Sequence, residues 1–129
     1  MGVQKYVLRF FFEWRLDTAL WPGDEMAYEK LGLGPYDELT LPQLSPKTWQ
    51  RMRELAEWHD TALNWDYPPD PGPWRQEECD RFNRAVRDLL EQIRQELGEE
   101  FEVMNQQPKM REDPDLNTYL KDPKGFKRQ

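Results

Sequence analysis

One cysteine, one histidine and one serine are all that this chain of 129 residues offers for nucleophilic or soft-metal chemistry. Cys79, standing alone, can form no internal disulfide, which excludes a stapled secreted scaffold and points to a reducing cytoplasm. One cysteine plus His59 falls far short of a structural zinc set. Ser45 directly precedes Pro46, a placement that helix capping explains without catalysis. His59 and Cys79 both fall on apolar helical stripes, the usual address of packed side chains, although a Cys–His pair meeting in space stays open. Long apolar runs are missing too. No uncharged stretch approaches the roughly 20 residues of a membrane helix, and Lys5, Arg9, Glu13 and Arg15 interrupt the apolar core that a signal peptide needs. Positive charge is also short. With 25 acidic residues against 18 basic ones the net charge is −7, which argues against a nucleic-acid partner and for a basic protein partner.

What is present is aromatic: 13 % of the chain, including six tryptophans, too much for a disordered acidic polymer. The length suits one domain over residues 1–129, burying about two thirds of its unfolded surface. Residues 5–14, KYVLRFFFEW, alternate with a period of two and predict a first strand, with Tyr6, Leu8, Phe10, Phe12 and Trp14 on its core face. Val7 and Phe11 on the other face want partial cover, which the C-terminal tail could supply. A short returning strand over about 18–21 ends at Pro22-Gly23 and makes an antiparallel hairpin. Asp24 then caps a short helix from Glu25 to Leu31.

Two long helices dominate the middle. The first starts at Ser45-Pro46 and runs over about 46–63, burying Trp49, Met52, Leu55, Ala56, His59 and Ala62 at spacings of three and four. The second spans about 75–97, with Cys79, Phe82, Val86, Leu89, Ile93 and Leu97 as its stripe. A last strand over about 100–107 follows, then a helical turn from Asp113-Pro114 to Leu120, and a basic tail, 122–129, expected to be loose. This order predicts an α+β fold of two layers: a small, mainly antiparallel sheet with two long antiparallel helices on one face.

Between those helices lies the least ordinary stretch, NWDYPPDPGPW from Asn64 to Trp74. Its four prolines make it cheap to order, and large aromatics on a stiff loop either pin it to the core or wait for a partner. Trp74 reads as framing, Gly72 as backbone shape, and Trp65, Asp66, Tyr67 and Asp70 as candidate contacts. Asp66, Asp70 and Glu77 match positions one, five and twelve of a calcium loop, yet Pro68 replaces a ligand and Pro71 stands where that loop needs glycine, so no metal is assigned. No cofactor is called for. Asp24, Glu25, Asp37 and Glu38 add carboxylates on other loops and element ends. An acidic loop surface around exposed aromatics suits docking, with aromatics as anchors and charge setting orientation and on-rate.

Three segments carry a resemblance: Leu20-Trp21, LNWDYPPDPGPW from Leu63 to Trp74, and DPDLNTYLKDPKGF from Asp113 to Phe126. Together they resemble small acidic bacterial immunity proteins of polymorphic toxin systems. The resemblance implies a cytoplasmic, non-enzymatic inhibitor whose partner is a cognate toxin domain, expected to have a basic active-site cleft. It brings no catalytic motif. Two other readings stay open: an adaptor domain with a structural proline-rich loop, and a small enzyme using two carboxylates.

Overall fold

A computed structural model describes residues 5–128. Their order is β1 (Tyr6–Phe10), β2 (Leu20–Pro22), α1 (Glu25–Leu31), α2 (Pro46–Asp60), α3 (Gln76–Leu97), β3 (Phe101–Asn105) and α4 (Leu116–Lys121). The class is α+β, with a three-stranded sheet ordered β2-β1-β3 and two long helices over its inner face.

The sheet is mixed, where a mainly antiparallel one was expected. β1 pairs with β2 antiparallel, with Arg9 opposite Trp21, but with β3 in parallel, Leu8 opposite Val103. A parallel neighbour needs a long crossover, and the whole helical region from α1 to α3 provides it. β2 runs one residue past its expected end to include Pro22, which an edge strand tolerates.

β1 stops four residues before the alternation does. Phe11 still donates its N–H to the Ala19 carbonyl at 3.0 Å, and Phe12, though buried, donates its own to the Gln107 side chain at 2.8 Å. Beyond that the chain must turn towards β2, and Trp14 leaves the sheet for α2. On the outer sheet face, Phe11 stacks on Trp21 with ring centroids 4.9 Å apart, and Arg9 reaches across at 5.4 Å. Trp21 is the neighbour that covers Phe11.

The helices follow their periodicity, except that α2 ends at Asp60, short of the expected 63, and leaves Ala62 beyond it and only partly buried. All six predicted stripe residues of α3 are buried, as are Trp49, Met52, Leu55, Ala56 and His59 of α2, facing Leu8, Phe10, Leu20, Phe101 and Val103 of the sheet. Ser45 caps α2 as expected, its hydroxyl accepting from the Thr48 N–H at 3.2 Å. Glu96 of α3 reinforces that cap from the neighbouring helix, accepting from the Ser45 N–H at 2.6 Å and from the Thr48 hydroxyl. At the other end, the Trp58 indole of α2 donates to Glu78 of α3 at 2.9 Å.

The C-terminal segment runs along the start of α3. Asn83 and Met110 exchange two 2.9 Å hydrogen bonds, and Gln76 and Glu112 exchange two of 3.1 Å. In the basic tail, Arg128 bridges Asp113 at 2.6 Å and Asp115 at 2.9 Å and donates to the Pro69 carbonyl at 3.0 Å. Paired aspartates opposite a bidentate guanidinium favour that bridge.

Candidate functional site

The proline-rich loop is organised by Asn64, a residue the sequence reading passed over. Its buried side chain donates to the Pro71 carbonyl at 3.1 Å and accepts from the N–H groups of Asp66 and Tyr67, each at 3.1 Å. An Asx turn of this kind is a habit of asparagine, and that habit was the available signal. Gly72 passes so close to the segment just after α2 that a Cβ there would overlap the Ala62 carbonyl oxygen. Trp74 is inside, its indole donating to the Thr61 hydroxyl at 2.9 Å and its ring 5.0 Å from that of Phe82. It frames the loop, as its position suggested.

Trp65 and Tyr67 stand outward, 42 % and 55 % exposed. Trp65 is half employed: its indole N–H satisfies the Asp60 carbonyl at the end of α2, at 2.7 Å. Its ring meets two neighbours from the β1–β2 turn. Trp14 packs edge-on, with centroids 6.3 Å apart and planes at 85°, and the Arg15 guanidinium lies 4.5 Å from the ring centre. Trp14 also stacks on the buried His59.

That turn is the part of the surface that sequence reasoning missed, because alternation assigned Trp14 to a strand. Arg15 takes φ of 67°, the only positive value at a non-glycine among the described residues. For a long side chain this costs on the order of 1–2 kcal/mol. The Arg15 N–H, held by Asp60 Oδ1 at 2.9 Å, offsets part of it.

The turn also joins sites that the sequence could only name separately. Asp17 lies 3.7 Å from Arg53 of α2, which pairs on its other side with Glu38. One continuous strip thus runs from Glu38 through Arg53 and Asp17 to Arg15, Trp14 and Trp65. Asp37, next to Glu38, is presented by the buried Tyr36, whose hydroxyl donates to the Gly32 carbonyl at 3.0 Å. Burial, with Asp24 nearby, pushes the Tyr36 phenol up to about 12.

The carboxylates differ in how far they are already committed. The backbone N–H of Thr40, with its hydroxyl and the Leu39 N–H, holds Asp37 below the usual carboxylate range. The Arg53 guanidinium does the same to Glu38. Asp24 caps α1, accepting from the Ala27 N–H at 2.8 Å, and Glu25 is exposed beside it in the first turn. No hydrogen bond or ion pair of the described residues ties Asp24 or Glu25 to the Trp65 end. Asp66 is exposed and Asp70 half-buried, neither in an ion pair among the described residues. They are the loop's uncommitted charges.

His59 is 4 % exposed, its Nδ1 without a hydrogen-bond partner among the described residues. Desolvation lowers its pKa to about 4, against a small opposing pull from Asp60. Burial pushes the Cys79 thiol up, which leaves it a poor nucleophile. Among the described residues no three His, Cys, Asp or Glu side chains gather to hold a metal ion, and no helix is long and apolar enough to cross a membrane.

Comparison with curated proteins finds no match. A family model described as Serratia CdiI immunity protein-like matches residues 8–107. That span runs from within β1 to just past β3, and so takes in the whole sheet, both long helices, the proline-rich loop and the β1–β2 turn. By that match the chain belongs to the Serratia CdiI immunity protein-like family.

Proposed function

We propose that this chain is an immunity protein that binds a cognate bacterial toxin domain and blocks it by occupying a basic active-site cleft. The family match over residues 8–107 is the observation that carries this reading. It works by stoichiometric binding in the cytoplasm, without catalysis, cofactor, nucleic acid or membrane. Trp65 and Tyr67 serve as anchors, and Asp66 and Asp70 supply the charge that faces the toxin's cations, standing where its substrate's phosphates would lie. Asp37 and Glu38 extend the acidic rim, though Glu38 shares its charge with Arg53 and contributes less. Asp24 and Glu25 form an outlying acidic edge. The carboxylates with displaced pKa values, Asp37, Glu38, Glu96 and Asp113, are all held low, which suits charge presentation and opposes general-acid work.

Co-expression tests it. The chain should rescue cells producing the toxin domain encoded beside its own gene, copurify with it at moderate salt, and associate more slowly as salt rises. Failure to rescue, with no complex formed at low salt, sinks the reading.

A further inference from the structure

The β1–β2 turn carries more than a connection. Trp14 and Leu16 are each 38 % exposed, and Trp14 packs edge-on against the exposed Trp65. Arg15 lies over Trp65 with a guanidinium that donates to no acceptor and joins no ion pair among the described residues. Trp and Arg are among the residue types that dominate binding hot spots, and here two tryptophans and an arginine gather where two loops meet at the end of α2. The platform is also preorganised. Trp14 rests on His59, Trp65 is pinned to the Asp60 carbonyl, and the Arg15 backbone is pinned to the Asp60 side chain. Rigid aromatics lose little freedom on docking.

From this we infer that Trp14, Arg15 and Leu16, together with Trp65, form the central anchor for the toxin domain, and that the toxin's matching face offers an apolar recess with a carboxylate inside its basic surround. The carboxylate follows from Arg15. A guanidinium covered by a partner must find an acceptor or incur a large desolvation penalty. Within an acidic protein, this makes one point of the interface opposite in sign to the rest, a register mark that a uniformly charged surface lacks. The inference rests on the toxin-binding reading above and adds three residues and one contact of reversed polarity to it.

The test uses the full chain and a catalytically dead form of the toxin domain encoded beside it. Arg15→Gly removes the guanidinium while relieving the positive φ, so its melting temperature should equal or exceed that of the wild type. Its Kd should rise about thirtyfold, mostly through koff. Leu16→Glu, at an exposed position, should fold normally and weaken binding as much. Hydrogen exchange on the wild-type complex should show protection at 13–17 and 64–67. Kd values within threefold of wild type for both variants, with loss on Asp66→Asn or Tyr67→Ala, would overturn the anchor and leave the toxin-binding reading standing. A wild-type chain that ignores the toxin domain overturns both. A wild-type dimer dissolved by Leu16→Glu overturns the anchor as well, by making the patch a self-interface.

Discussion

Trp14 lies face to face on His59, with ring centroids 4.2 Å apart and planes 20° from parallel. An imidazole so placed, beneath an indole and 4 % exposed, is held neutral by burial. Its pKa of about 4 in the folded chain sits below the ordinary 6.5. As pH falls below 6.5 the unfolded chain takes up a proton that the folded chain refuses, so stability falls between about 6.5 and 4. The loss is on the order of 3 kcal/mol. Denaturant melts across that window should show it, and His59→Phe should flatten the upper part of the slope, from about 6.5 to 4.5. The lowered carboxylates act in the same direction but at lower pH, which separates the two effects.

Phe82 is the hub beneath the site. Its ring lies 5.2 Å from Trp58, 5.0 Å from Trp74, 5.9 Å from Phe12 and 5.9 Å from His59, and it is fully buried. Phe82→Ala should cost about 3–5 kcal/mol of unfolding free energy. It should also raise the exposure of both Trp58 and Trp74, readable as a red shift in indole emission.

Asn64→Ala removes the loop's clasp and leaves the Pro71 carbonyl and two N–H groups without it. A cost of about 1–3 kcal/mol is expected. The sharper readout is local: the amides of Asp66 and Tyr67 should exchange markedly faster, while those of α3 speed up only by as much as global stability falls.

Glu96 joins the helices. Burial opposes its charge, yet hydrogen bonds from Ser45, Thr48 and Gln92 hold its pKa below the usual value. Its contribution is therefore present above the ordinary carboxylate pKa and is lost as pH falls through the lowered one. Glu96→Ala should cost about 1–2 kcal/mol and fray the start of α2, seen as faster exchange near Thr48.

Legibility in the chain followed the range of the interactions. The stripe from Cys79 to Leu97 and the cap at Ser45 are written within a few residues of themselves, and they were read correctly. So were the inward role of Trp74 and the kinship with immunity proteins. The direction of β3 was not, because pairing Leu8 with Val103 joins residues far apart that no local pattern couples. Trp14 misled for a related reason: alternation continued past the point where the chain had to turn, and the pull of His59 lies on another element. Of the acidic candidates, composition could not tell Glu38, already neutralised by Arg53, from Asp66 and Asp70, which are not.

The parallel pairing of β1 with β3 bears on how the protein is made. β1 leaves the ribosome well before β3, yet its flank stays open until Asn105 has emerged and paired with Phe10. Until then the nascent chain holds an apolar strand with one unfilled side and two helices without a completed floor. The complete sheet therefore forms only after translation has passed residue 105 and β3 has threaded beside β1, a delay that a sheet built from hairpins alone would not face.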